Sequence, residues 1–353
     1  MDDGRPTLLA AVVAASEEVA ATSARNAKRD RLADLLAGLR PDEVPVTVAL
    51  LTGVPRQGRF GVGWRTLRAA ETPPAADPTL TVGDLDATLT ALAGLAGPGS
   101  ALERRRLVGH LLTRATADEQ RFLFGLLSGE LRQGALGGVM ADAVARAAGV
   151  PTTAVRRATM LGGDLTGVAA VALTDGAAGL AAIVLEVGRP VQPMLASIAV
   201  STAAAVEDMG DAVVDWKIDG IRIQVHRRGD EVRIWTRNLN EITGRLPEVA
   251  DRVRALPADT LVLDGEALVV DAEERPVLFQ DTAARVGTDE ARGEAATVTP
   301  WFFDLLHHDG TDLVDAPLDE RRERLVAVAG GLVVPHRRTA SPDGAGEVLA
   351  DAL

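Results

Sequence analysis

Asp215-Trp216-Lys217-Ile218-Asp219-Gly220-Ile221-Arg222 is the stretch on which the reading of this chain turns. It holds one of only two lysines; Lys28 is the other, and arginine supplies the remaining cationic side chains. Arginine serves surface charge equally well but does not readily lose a proton, so it cannot replace a nucleophilic amine. A lysine kept on a predicted strand beside Trp216 therefore suggests a need for the amine. The plainer alternative is a strand-edge lysine paired with Asp219, since such ion pairs are common.

The surroundings are β-rich. Val213–Ile218, Ile221–His226 and Val232–Thr236 alternate as strands, with Arg228-Gly229-Asp230 as a hairpin turn. Leu261–Leu263 and Ala267–Val270 flank Asp264-Gly265, after which Glu266 on its own reads as a turn residue. Thr297–Leu306 is a further strand. Upstream the texture is helical. Leu32, Leu35, Leu36 and Leu39 fall at i, i+3, i+4 and i+7. Helical stretches follow at Leu102–Leu112, Glu119–Leu131 and Val139–Ala148, with breaks at Arg40-Pro41, Thr72 to Pro78 and Gly97-Pro98-Gly99. The pattern changes near Val187–Gln192, so an all-α module over 1–188 is expected to precede an α+β module over 189–353.

The 353 residues carry a formal charge of −13. Residues 1–190 hold 20 basic and 20 acidic side chains, while residues 191–353 hold 17 basic and 30 acidic ones. This argues against a general nucleic-acid coat without forbidding a local basic face. The chain has no cysteine, which excludes disulfides, a thiolate zinc site and a cysteine nucleophile. The apolar run Leu8–Ala15 is short for a membrane span and reads as a buried first helix. His307-His308 are adjacent on a strand, point to opposite faces and read as loop or surface residues rather than a metal pair.

Lys-x-Asp-Gly-x-Arg and the motifs after it resemble the adenylation core of bacterial ATP-dependent DNA ligases, within the covalent nucleotidyltransferase superfamily. Lys217 matches the nucleophile, Arg222 its partner, and Asp215 the acidic residue two positions before the lysine. Thr236-Arg237-Asn238, Leu263-Asp264-Gly265-Glu266 and Phe302-Phe303-Asp304-Leu305-Leu306 match the following motifs, and the family aromatic aligns with Phe303. Pro193-Met194-Leu195-Ala196 resembles the segment that opens the domain; Phe279-Gln280 and Arg285 resemble a further stretch. The resemblance implies that Lys217 attacks the α-phosphate of ATP. It also implies that Asp215, Arg222, Arg237, Glu266 and Phe303 bind the nucleotide and that Glu266 helps hold Mg²⁺. The chemistry agrees: an amine can become a nucleophile, arginine forks grip phosphate or ribose oxygens, a carboxylate accepts from a hydroxyl or binds metal, and an aromatic face stacks on adenine.

In the first half, Ser128-Gly129-Glu130-Leu131-Arg132-Gln133-Gly134 resembles a stretch of the helical DNA-binding domain of larger ligases, and Thr22, Arg25 and Lys28 resemble its early helix pair. Thr22, Arg25, Lys28, Gly129, Arg132 and Gly134 are thus the expected DNA contacts, on one basic face, and Arg104-Arg105-Arg106 reads as a solvated helix face. The implied activity is sealing of nicked duplex DNA through lysyl-AMP in replication, repair or recombination, by a cytoplasmic, nucleoid-associated monomer with no membrane partner. The sequence reaches Leu353 before the family's Glu-Gly-x-x-x-Lys and Lys-x-Lys motifs and its OB-fold domain. An incomplete adenylation domain without an OB fold is therefore expected, and a catalytically incompetent DNA- or ATP-binding fragment is the alternative.

Overall fold

A computed structural model describes residues 5–58, 60–131, 137–270 and 297–352. The chain forms two compact units, Met1–Val184 and Leu185–Leu353. No helix among the described residues is long and apolar enough to cross a membrane.

The first unit contains helices α1 (Leu9–Ala21), α2 (Arg25–Ala37), α3 (Val44–Thr52), α4 (Trp64–Ala69), α5 (Val82–Ala93), α6 (Ser100–Arg114), α7 (Ala117–Ser128), α8 (Gly137–Ala148), α9 (Thr152–Gly162) and α10 (Leu165–Ala181). Their starts are written in the sequence: Thr81 with Asp84 and Thr116 with Glu119 close reciprocal capping boxes at α5 and α7. The leucine stripe behaves as its spacing predicts, with Leu32, Leu35 and Leu36 in one large core with Leu9, Leu50, Leu85, Leu111 and Leu123.

The second unit runs α11 (Thr202–Met209), β1 (Ala212–Asp215), β2 (Ile221–Arg228), β3 (Glu231–Thr236), α12 (Pro247–Arg254), β4 (Thr260–Val270), β5 (Thr297–His308), β6 (Thr311–Asp312), α13 (Leu318–Ala329), β7 (His336–Thr339) and α14 (Pro342–Ala352). Among the described residues the strands make an antiparallel sheet in the order β3-β2-β4-β5-β6, and β1 pairs with β7 in a separate two-stranded sheet. Alternation assigns the faces of the larger sheet. Ile223, Val225, Val232, Ile234, Leu261, Leu263, Ala267 and Val269 share a core with Val249 and Val253 of α12 and Leu325 and Val328 of α13. Arg222, Gln224, His226, Asp264 and Glu266 occupy the intervening positions and so face the other way.

Three sequence expectations change here. Asp264-Gly265 is no break: β4 runs straight through it. Gly265 is required because a Cβ there would lie 2.6 Å from the Trp301 carbonyl oxygen and 2.7 Å from the Phe302 ring. Lys217 is not on a strand, because β1 stops at Asp215. His307 lies buried on β5, its ring bonded to Asp312 at 2.7 Å and Thr260 at 3.1 Å, because the strand continues past Leu306.

Strand β5 also carries two bulges. Its register against β4 slips by one residue between Val262 and Leu263 and again between Asp264 and Gly265, leaving Leu306 and Phe303 without a partner. Phe302 and Leu305 both enter the core as a result, and Phe303 and Asp304 stand between them outside it.

Candidate active site

Lys217 lies on the five-residue course between β1 and β2, with its side chain 85% exposed. Each end of this course is fixed. Upstream, Asp215 pairs with His336 across β1 and β7, and the Trp216 N–H donates to the Pro335 carbonyl at 3.0 Å. Downstream, Gly220 passes so close to β4 that a Cβ would collide with the Ala267 carbonyl, and its N–H donates to Glu266 Oε1 at 3.2 Å. Only glycine fits there. Lys217 Nζ approaches Asp219 Oδ1 at 3.5 Å, but both side chains are open to water, which screens the pair.

Arg222 is opposite Glu266 in the β2–β4 register. Its Nε and Nη2 donate to the two Asp264 oxygens at 3.0 and 2.7 Å, and Nη1 reaches the Met194 carbonyl at 3.2 Å. The guanidinium carbon lies 5.5 Å from the centre of the Phe303 ring, within cation–π range. The bulge therefore sends Phe302 into the core and sets Phe303 beside Arg222. Burial pushes the Asp264 carboxyl above the usual range, against the pull of Arg222. It does the same to Glu266, against the Gly220 N–H and the positive charges of Lys217 and Arg222. Lys217, Glu266, Arg222 and Phe303 thus gather at one end of the sheet. Arg237 is exposed just beyond β3, whose ladder with β2 ends at Ile223 and Thr236, so it leaves the sheet at the level of Arg222. Leu239 in the following turn has φ 61°, an uncommon backbone for a branched side chain. Asp215 is committed differently: both its oxygens accept from Nη2 of Arg322 on α13, at 2.8 and 2.7 Å.

Sequence reasoning missed a strap over this face. The side-chain amide of Gln224 acts as a peptide would, accepting from Val191 N at 2.7 Å and donating to Val191 O at 3.0 Å. Gly188 N donates to His226 Nδ1 at 2.9 Å, which leaves Nε2 as the donor to Gln224 Oε1, also at 2.9 Å. The ring is neutral in this arrangement; burial, with Arg233 nearby, lowers its pKa to about 3. Only the polar residues at alternate positions of β2 hinted at such a partner.

These residues follow the motif order throughout, and comparison with known proteins agrees. A family model described as ATP dependent DNA ligase domain matches residues 193–341, and one described as DNA ligase N terminus matches residues 57–145. A probable DNA ligase of Pseudarthrobacter chlorophenolicus is 53% identical over 346 residues, covering 98% of this chain and 68% of that protein. One of Beutenbergia cavernae is 54% identical over 356 residues, covering 98% and 69%. The chain belongs to the ATP-dependent DNA ligases. It spans about two thirds of the length of these relatives. A solved structure titled Pmar-Lig_Pre shares the fold at TM-score 0.58 and 15% identity, covering 96% of this chain and 70% of that one.

In the helical unit of the ligase, the Thr22 hydroxyl accepts from Ala24 N at 3.2 Å, just before α2. Arg25 and Lys28 are three residues apart on α2 and so share a face. Arg25 is bound to Asp142 of α8 at 2.6 Å, and Arg156 shares that carboxylate at 2.7 Å. Gly129 ends α7 with φ 74°. It lines a groove of about 620 Å³ together with Gly53, Gly58, Phe60, Gly63 and Ser128. Arg132, Gly134, Phe279, Gln280 and Arg285 lie outside the described residues. In the Arg104-Arg105-Arg106 run, Arg105 and Arg106 are exposed, Arg105 donating to the Ala69 carbonyl and Arg106 pairing with Glu103, while Arg104 is half-buried and donates to the Phe60 and Leu95 carbonyls. Among the described residues no group of three His, Asp or Glu side chains could hold a metal by itself.

Proposed function

We propose that this ligase uses Lys217 as its nucleophile and the end of the sheet around it as the nucleotide site. The observation that carries this is the locking of Gly220 against Glu266 and Ala267, which ties the only lysine of the second unit to the strand beside the Arg222–Phe303 pair. Lys217 Nζ, once deprotonated, attacks the α-phosphorus of ATP; a P–N bond forms and the bond to pyrophosphate breaks. The 5′-phosphate at a nick then takes the AMP, releasing Lys217. Finally the 3′-hydroxyl attacks that phosphate and expels AMP, closing the strand.

In this reading Phe303 stacks against adenine, and Asp215 meets the nucleotide with the lone pairs that Arg322 leaves open. Arg222 and Arg237 hold ribose or phosphate oxygens, and Glu266 accepts from a ribose hydroxyl. Magnesium fits the donor set as an ion held by one carboxylate, Glu266, with phosphate oxygens completing its shell, and it would neutralise phosphate charge. Residues 1–188 serve as the helical DNA-binding domain and 189–353 as the adenylation domain. Nicked duplex DNA is held through Thr22, Arg25, Lys28, Gly129, Arg132 and Gly134 by a cytoplasmic monomer. Replication, repair and recombination are the processes such an activity serves.

The test is incubation with Mg²⁺ and α-labelled ATP followed by peptide mapping. Label at Lys217 in the unsubstituted protein, absent from Lys217→Ala and Lys217→Arg, is the expected result. Label elsewhere, or label that survives either substitution, would overturn the assignment.

A further inference from the structure

Helix α13 carries Arg321 and Arg322 side by side, and each grips a different strand. Arg321 forks Asp304 through Nε at 2.8 Å and Nη2 at 3.1 Å. Asp304 is next to Phe303 in the bulge of β5. Arg322 gives Nη2 to both oxygens of Asp215, the last residue of β1 and two positions before Lys217. Neighbouring residues on a helix point about 100° apart, so one rigid element can reach both strands at once.

The position of Arg322 argues that this grip is more than packing. It is only 7% exposed and follows the apolar stripe of Leu325 and Ala329 at i+3 and i+7. Charged residues rarely occupy such a position, and here Nε and Nη1 are buried without a hydrogen-bond partner. An ion pair whose arginine is buried with unmet donors is a poor way to stabilise a helix face, where an apolar residue of similar size does at least as well. Such rule-breaking is expected where function sets the residue.

What the pair fixes is clear from the topology. Strand β1 belongs to the small β1–β7 sheet, whereas Phe303, Arg222 and Glu266 belong to the large one. Gly220 ties the Lys217 course to the large sheet on its downstream side. Upstream, the backbone runs from Trp216 through Pro335 to Val334, whose N–H donates to the Phe302 carbonyl, and Arg322 adds a side-chain tie from a helix whose Leu325 and Val328 are packed under the large sheet.

We infer that Arg321 and Arg322 are positioning residues that set the nucleophile and the aromatic platform at a fixed separation, Arg322 through Asp215 and Arg321 through Asp304. The inference rests on the nucleotide reading above. A misplaced nucleophile slows the chemical step, because rate depends steeply on near-attack geometry. A misplaced platform weakens binding of the base.

Single-turnover formation of lysyl-AMP, followed against ATP concentration, separates the two. Arg322→Met is expected to lower the rate constant at saturating ATP about 30-fold, with the half-saturating ATP concentration changed less than about threefold. Arg321→Met is expected to raise half-saturation about tenfold while the saturated rate changes less than about threefold. Both Arg322 bonds leave from one nitrogen, so Arg322→Lys should recover most of the rate, within about fivefold. Equal losses in the same parameter would overturn the inference. So would a loss confined to reaction amplitude, with the remaining folded molecules reacting at the unsubstituted rate. If the unsubstituted protein forms no adduct at Lys217, the nucleotide reading itself fails and this inference with it. A Lys217 adduct formed at unchanged rates in the variants sinks only the roles of Arg321 and Arg322.

Discussion

On β2 and β4, residues 223, 225, 261, 263, 267 and 269 enter a dry core, while residues 222, 224, 226, 264 and 266 build a polar face from the same strands. The first set is interchangeable in kind, all aliphatic and all under helices α12 and α13. The second is specific in detail: an arginine fork on Asp264, an amide clasp on Val191 and a neutral imidazole. One face contributes stability by burial; the other accepts desolvated charge in exchange for placed donors and acceptors. Substitutions on the two faces should therefore fail in different ways.

The adjacent pair Phe302 and Phe303 tests this most severely. Phe302→Ala is expected to cost about 3–5 kcal/mol of stability, since Phe302 is fully buried. Phe303→Ala should cost less than about 1 kcal/mol and instead raise the half-saturating ATP concentration about tenfold. Denaturant melts and adenylation kinetics on both variants check it, and matching profiles would break the comparison. The next expected effect is acid sensitivity from His226. Its pKa is about 3 when folded against 6.5 when unfolded, so below pH 6.5 the unfolded chain takes up a proton that the folded chain refuses. Its stability contribution is full above pH 6.5 and falls on acidification by about 1.4 kcal/mol per unit until the folded pKa is reached. The stability difference between the unsubstituted protein and His226→Leu should thus shift by about 2 kcal/mol between pH 6.5 and 4.5, and a constant difference would refute the neutral ring. The smallest effect sharpens the comparison at its edge. Leu239→Asn should stabilise by about 0.5 kcal/mol, because asparagine tolerates a φ near 60° better than leucine. A thermal melt reads it.

The helical texture of the first half and most strands were legible because their signals are local. The leucines at 32, 35 and 36 announce a buried stripe. The Lys-x-Asp-Gly-x-Arg order located the site segment, and Phe303 was chosen over Phe302 by motif alignment. What stayed hidden depends on pairing across distance. Asp264-Gly265 looks like a turn until Phe302 is seen opposite Gly265. Arg321 and Arg322 look like solvated charges on an acidic-basic helix until their partners, 17 and 107 residues away, are in place. Gln224 shows only that a polar side chain alternates on β2, and its partner Val191 lies 33 residues away.

The two unpartnered residues of β5 have one more consequence, which concerns insertions and deletions. Each slip inverts which side chains face the helices, so the two together cancel: Phe302 and His308 keep the same parity, and only 303–305 are out of phase. The rest of the strand is therefore indifferent to the pair, and each extra residue absorbs its own change of parity. Loss of one residue at 303 or 306 would leave the remaining residues on their present partners and make the strand regular there, whereas loss within the regularly paired 297–301 would turn the side chains on one flank inside out.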